Sequence, residues 1–124
     1  MQLTEHRNEN QLFVRRADAN SVTVIDRIHH GSLALNATQL IDAFPARTVA
    51  DLDATAVEQI LSLKPEVVLL GTGDQIRFPA PAVLARFLTR GIGLETMDNA
   101  AAARTFNVLI GEGRAAAAVF LLPG

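Results

Sequence analysis

The chain contains no cysteine, no tryptophan and no tyrosine. Without cysteine it can form no disulfide bond, and it offers no thiolate for catalysis or iron–sulfur ligation. Its aromatic side chains are limited to six phenylalanines and three histidines, so the bases of a single-stranded nucleic acid would find few stacking partners. These absences exclude cysteine chemistry and disfavour a surface that binds single strands.

Charged residues are scarce as well, at 19% of the chain, and they leave a net charge of −2. A protein that binds nucleic acid needs a basic stripe to neutralise phosphates, and one that binds an anionic bilayer needs a polybasic patch. The sequence has neither, so we expect no nucleic-acid partner.

Long apolar runs are also missing. The longest, residues 115–122, is far shorter than the roughly 20 residues of a membrane-spanning helix. Residues 1–11 are polar and of mixed charge, unlike a secretory signal, in which an apolar segment follows a cationic start. We therefore expect a cytoplasmic protein and not a membrane protein.

The apolar residues that are present, 49% of 124, suffice for the core of one domain of common size. The first third has the pattern of short β-strands separated by turns. The strand-like runs are residues 12–16, 22–25 and 32–36. Residues 37–51 are irregular and predict no definite element.

From residue 53 onward, helical and strand-like patterns alternate. Helices are predicted to start near residue 53, near Pro79 and after Asp98, and in the first of them Thr55 and Glu58 have the spacing of a capping box. Strands are predicted at residues 67–70, 93–97 and 115–122. This order predicts an α/β fold in one domain over residues 1–124, with helices packed on a sheet and a strand-rich N-terminal third.

A glycine turn, Gly71-Thr72-Gly73-Asp74, follows the apolar run at residues 67–70. In open α/β sheets, ligands bind beyond the carboxyl ends of strands, and glycines there permit unusual backbone angles and close approach to amides. The turn lacks the third glycine of a dinucleotide fingerprint and the Gly-Lys-Ser/Thr ending of a phosphate loop. It is either a ligand-binding crevice beyond Leu70 or a tight turn leaving a central strand.

Arg104 is the second candidate. If the strands at residues 67–70 and 93–97 are parallel, the glycine turn and Asp98 lie at one end of the sheet. Arg104 is about 9 Å beyond Asp98 along the helix, and its side chain leans back toward the helix N-terminus. It either captures an anion with the turn amides or forms an ion pair with Asp74, Glu95 or Glu112. We expect Arg104 to be partly buried at this crevice and to have a mainly structural role.

Asn107 is three residues after Arg104 and shares its helical face. The predicted crevice therefore has six members. They are Gly71, Thr72, Gly73, Asp74, Arg104 and Asn107.

No metal-binding or catalytic set emerges from the sequence. Adjacent residues in an extended segment point to opposite faces, so His29 and His30 cannot easily bind one ion together, and His6 is remote; we therefore predict no metal site. No serine or threonine lies in a nucleophile elbow, and Asp51 and Asp53 are simpler to explain as helix-capping residues. No motif predicts a cofactor.

Motifs in the second half resemble a widespread family of small domains of unknown function. They are residues 67–74 (VVLLGTGD), 90–97 (RGIGLETM), 104–109 (RTFNVL) and 112–116 (EGRAA). Eukaryotic members of that family include mitochondrial complex I assembly factor three and an adipogenesis-associated protein. The resemblance implies a three-layer α/β fold on a mixed central sheet whose last strand is antiparallel to its neighbours. It implies no established reaction.

Three functions stay open. The lack of a catalytic set and the resemblance favour a non-enzymatic module that binds or assembles another protein, either as a monomer or as a homo-oligomer. The alternatives are an enzyme that binds a small anion or metabolite beyond Leu70, and a bacterial chaperone for respiratory-complex assembly. An exposed apolar patch without a deep cleft would favour docking, whereas a cleft lined by Arg104 and the glycine turn would favour a ligand.

Overall fold

The computed structural model describes residues 11–123; residues 1–10, which include His6, and residue 124 lie outside that description. Within the described residues the chain forms eight β-strands and three α-helices. The strands are β1 (Val14–Ala17), β2 (Val22–Val24), β3 (Arg27–His29), β4 (Leu33–Leu35), β5 (Leu40–Ile41), β6 (Val67–Gly71), β7 (Gly93–Met97) and β8 (Ala116–Phe120). The helices are α1 (Ala54–Leu61), α2 (Pro81–Leu88) and α3 (Asn99–Gly111), and a short 3-10 helix covers Val49–Asp51.

The central sheet has five strands in the order β5-β4-β8-β6-β7. β6 is parallel to both β7 and β8, whereas β4 is antiparallel to β8 and β5. The α/β class and the mixed central sheet are therefore confirmed. The expected antiparallel last strand is correct for the pairing of β8 with β4 and wrong for its pairing with β6. The reason is that α3 carries the chain back across the sheet, so β8 starts at the same end as β6.

Helices cover both faces of this sheet, because successive residues of a central strand point to opposite sides. Val68 and Leu70 of β6 lie in a cluster with Ile60 of α1 and Phe87 of α2. Leu69, between them, lies in the other cluster, with side chains of α3 and of the N-terminal strands. The apolar run of β6 is thus buried on both faces, as expected of a central parallel strand.

The N-terminal strands β1, β2 and β3 form a separate antiparallel meander that packs with α3 on one face of the central sheet. The expected runs at residues 12–16, 22–25 and 32–36 correspond to β1, β2 and β4. The sequence pattern missed β3 and β5. β3 is mostly exposed and carries charged and polar residues, and β5 has only two residues, so neither shows the alternation that marks a half-buried strand.

The start of α1 differs from the expected capping box of Thr55 and Glu58. Asp53 is the N-cap residue, and its carboxylate accepts a hydrogen bond from the Ala56 amide at 3.0 Å. Because the Asp53 carboxylate accepts a hydrogen bond from a free amide of the first turn, the helix starts directly after Asp53, and Thr55 lies inside it.

This assignment predicts the effect of two neighbouring substitutions. Asp53→Ala should lower the free energy of unfolding by about 1 kcal/mol, the usual contribution of an N-cap side chain. Thr55→Ala should change it by less than half of that amount. Urea unfolding of both variants measures the difference, and a larger loss for Thr55→Ala would contradict the assignment.

Candidate functional site

The glycine turn lies at the carboxyl end of β6, beside the start of α3. β6 and β7 are parallel over their full lengths, and Asp98 caps α3 by accepting a hydrogen bond from the Ala101 amide at 2.8 Å. Two of the three conditions on which the crevice prediction depended, the parallel strands and the start of α3 after Asp98, are therefore met; the third concerns Arg104. What fills the space between turn and helix is a side chain that the sequence analysis did not single out.

That side chain belongs to Asn99, the first residue of α3, which is completely buried. Its Oδ1 accepts a hydrogen bond from the Gly73 amide at 3.1 Å. Its Nδ2 donates to the carbonyl oxygens of Asp18 at 2.9 Å and Leu121 at 3.1 Å. A buried primary amide needs such partners, and here they come from three distant segments. Asn99 thus joins the N-terminal turn, the glycine turn and the end of the last strand.

The two glycines of the turn serve different purposes. Gly73 has a φ of +95°, a conformation that favours glycine. Gly71 has no such angle; instead, a Cβ atom at that position would overlap Asn99 Oδ1. The expectation of unusual backbone angles therefore applies to Gly73, whereas Gly71 provides room for the buried amide.

The polar groups of the turn bond to each other and to their neighbours. The Thr72 hydroxyl donates to the Gln75 carbonyl at 2.6 Å and accepts from the Arg77 amide at 3.0 Å. The Thr72 amide donates to the Met97 carbonyl at 3.0 Å. Since the Gly73 amide is held by Asn99, the amides of Thr72 and Gly73 are both engaged within the protein. Asp74 is exposed at the rim of the turn.

Arg104 does not enter this region. Its side chain is exposed, and it makes no hydrogen bond or ion pair with the residues that the structure describes. The expectation of a partly buried Arg104 is wrong, because the neighbouring Ala103 and Phe106 occupy the face of α3 that packs on the sheet.

Asn107 is buried in part, but it contacts β1. Its Oδ1 accepts from the Val14 amide at 2.9 Å and its Nδ2 donates to the Val14 carbonyl at 2.8 Å. It lies eight residues beyond Asn99, about 12 Å along the helix axis. The structure therefore brings Gly71, Thr72 and Gly73 together with Asn99, and assigns Asn107 to a contact elsewhere on α3.

Two arginines that the sequence analysis did not select lie close to Thr72 of the turn. Arg47 and Arg77 line a small hollow that also contains Thr72. The Arg47 guanidinium donates to the Pro123 carbonyl at 3.3 Å, and that of Arg77 donates to Gln75 Oε1 at 2.8 Å. Both cations therefore have contacts within the protein.

Two carboxylates near these segments are stabilised in their charged form. The amides of Arg47 and Thr48 donate to Asp51 and hold its pKa below the usual value. The amides of Asn20 and Ser21 lower the pKa of Asp18 in the same way. Both aspartates organise turns, and neither is paired with a potential catalytic group.

Within residues 11–123, no group of three or more histidine, aspartate or glutamate side chains could hold a metal ion. His29 is half-buried and His30 exposed, at the end of the mostly exposed β3. No helix in this part of the chain combines the length and apolar character needed to cross a membrane.

A groove with both apolar and polar lining lies beside β7, which forms one edge of the central sheet. Its lining is Phe78, Pro79, Leu84, Leu94, Glu95 and Thr96, and we call it the β7 groove. Phe78 is 76% exposed, and Ile76 and Leu88 nearby in the chain are 53% and 56% exposed. Phe78 stands alone between Arg77 and Pro79, so no periodic pattern could have predicted this surface.

The fold and these surfaces define a small three-layer α/β domain with an internally bonded glycine turn and a groove at a sheet edge. The chain belongs to the family described as protein of unknown function DUF498/DUF598, whose family model matches residues 14–121. The resemblance inferred from the motifs is thereby confirmed.

Solved structures of bacterial proteins share the fold over almost the whole chain. An NMR structure from Xanthomonas campestris is 40% identical, with a TM-score of 0.85, and the match covers 100% of this chain and 94% of that one. A crystal structure from Bordetella parapertussis is 29% identical, with a TM-score of 0.83, covering 93% and 98%.

Curated relatives include NADH dehydrogenase [ubiquinone] 1 alpha subcomplex assembly factor 3. The Xenopus tropicalis protein is 33% identical over 73 residues, which cover 59% of this chain and 40% of that protein. The human protein is 35% identical over 71 residues, covering 57% and 39%. The match thus spans less than half the length of these relatives.

The tight fit of Asn99 predicts a contrast between two glycines on adjacent strands. Gly71→Ala should lower the free energy of unfolding by about 3 kcal/mol, because the new methyl group displaces the buried Asn99 side chain and breaks its hydrogen bonds to the backbone. Gly93→Ala is the matched control, since its Cβ would meet only Val67 Cγ2 at an ordinary 3.6 Å. Chemical denaturation measures both, and equal losses would refute the role of Gly71.

Proposed function

We propose that this domain is a non-enzymatic protein-binding module that contacts its partner through the β7 groove and the exposed side chains around it. The observation that carries the proposal is the exposure of Phe78, which is 76% exposed and lines the β7 groove. A large apolar side chain in water is unfavourable, and clusters of such side chains mark binding surfaces more often than single ones do.

The distribution of exposed apolar residues supports this location. Five large hydrophobic side chains of the described residues are exposed, and three of them lie between residues 76 and 88. The other two, Ile28 and Val108, are on β3 and α3. Only the segment of residues 76–88 combines several exposed apolar side chains with a groove and a sheet edge in the described structure.

The comparisons support protein binding at a coarse level, because relatives bear the name of an assembly factor. A narrower form of the proposal is that the domain assists the assembly of a respiratory complex. Its support is the sequence match to those relatives over 71–73 residues, together with the surface described above.

The small-anion alternative has less support. It needed free amides in the glycine turn and a cation from α3, whereas the amides of Thr72 and Gly73 are bonded within the protein and Arg104 is exposed. We therefore do not carry this function forward.

The proposal predicts position-specific crosslinking in the native cells. A photoreactive benzoylphenylalanine in place of Phe78 should give discrete adducts with one or a few other proteins, because that side chain would be covered in the complex. The same residue in place of Val108, which is 58% exposed on α3, serves as the matched control and should give none.

Mass spectrometry of the adducts separates the possible results. Adducts at position 78 alone support the proposal. Identical adducts at both positions, or no adduct at position 78, contradict it. Adducts containing only a second copy of the chain would indicate a homo-oligomer and would also overturn it.

A further inference from the structure

Among residues 11–123, no strand pairs with the outer edge of β7. The Gly93 amide donates to the Glu66 carbonyl, and the Met97 carbonyl accepts from the Thr72 amide. In a parallel ladder, alternate residues of a strand direct their backbone groups to the same side. Gly93, Glu95 and Met97 therefore bond to β6, and the N–H and C=O groups of Leu94 and Thr96 point away from the sheet.

The β7 groove lies directly beside this open edge. Leu94 and Thr96 belong to its lining, together with Phe78 and Leu84. A strand that paired with Leu94 and Thr96 would place alternate side chains over Phe78, since directly opposite residues share a face of the sheet. Its intervening side chains would lie on the other face, beside the side chain of Glu95, which points to the face opposite those of Leu94 and Thr96.

The charge of Glu95 distinguishes between two possible occupants of this edge. In a two-fold antiparallel pair of β7 strands, the register that aligns all five residues sets Glu95 opposite Glu95 of the second copy. Like charges directly opposite each other destabilise a strand pair, whereas opposite charges stabilise it. The edge therefore favours a different chain, with a lysine or arginine facing Glu95.

We propose that β7 binds an extended segment of a partner protein by strand addition, and that this segment alternates apolar, basic and apolar side chains. Backbone hydrogen bonds to Leu94 and Thr96 supply the pairing, the groove around Phe78 takes the apolar side chains, and Glu95 selects the basic one. This inference rests on the proposed function and specifies how the surface is used. A charged residue on an edge strand can also serve only to prevent aggregation, and the experiment separates the two roles.

The probe is a fluorescently labelled, unstructured peptide of about nine residues with valine–lysine–valine at its centre. Fluorescence anisotropy measures its affinity, and NMR of the ¹⁵N-labelled protein locates the contact. We expect the amide signals of Leu94 and Thr96 to shift. A peptide with valine–glutamate–valine at its centre should bind at least about tenfold more weakly.

Two variants test the pairing and the charge separately. Thr96→Pro removes an outward N–H and keeps the ladder with β6, because proline is tolerated in an edge strand when its nitrogen faces solvent. It should abolish binding, whereas Thr96→Val should preserve it. Glu95→Lys should reverse the preference, so that the glutamate peptide binds more tightly than the lysine peptide.

Each outcome decides the inference. It is overturned by an absence of binding at millimolar peptide, by equal affinity for both peptides, or by binding that survives Thr96→Pro. If Thr96→Pro does not fold, the preference of Glu95→Lys decides, and an unreversed preference overturns the inference. Loss of binding in Phe78→Ser with full binding in Thr96→Pro would mean docking without strand addition. In that case the proposed function stands, since the crosslinking at position 78 tests it independently of any peptide.

Discussion

The side chain of Asn99 is the interaction on which the arrangement of the carboxyl end of the sheet depends. Its three hydrogen bonds reach the turn after β1, the turn after β6 and the end of β8. The first segment belongs to the meander, the second to the central sheet, and the third follows the last strand. One buried side-chain amide therefore connects the meander to the central sheet. Its cost of burial is offset only while every partner is present. Gly71 makes the fit possible by having no side chain.

A fixed glycine turn also has consequences for the surface beyond it. Thr72 binds Gln75 and Arg77 and thereby shapes the start of the segment that leads to Phe78 and α2. An exposed aromatic side chain on a restrained segment loses less conformational entropy on binding than one on a mobile loop. The turn that resembles a ligand site thus restrains the segment that leads to the β7 groove.

The sequence predicted the features that depend on local pattern. The apolar run of β6, the start of α3 at Asp98 and the alternation of helices and strands after residue 53 all required only neighbouring residues. The role of Asn99 was missed because its partners are 81, 26 and 22 residues away. The position of Arg104 was missed because helical spacing gives its distance from Asp98 but not which face packs on the sheet. The direction of β8 likewise depends on the path of α3 across the sheet. The exposure of Phe78 depends on the position of β7 at the edge of that sheet.

The pairing of Gly71 with Asn99 constrains how this protein can change through single substitutions. A side chain at position 71 would overlap Asn99 Oδ1, and loss of Asn99 removes a hydrogen-bond partner from the backbone groups of Gly73, Asp18 and Leu121. Each replacement alone is therefore harmful, and a compatible new pair is separated from the present one by a less stable intermediate. This epistasis favours retention of the Gly-Thr-Gly turn whether or not anything binds there. Invariance of that turn among relatives would accordingly report a folding requirement and would not by itself identify a ligand site.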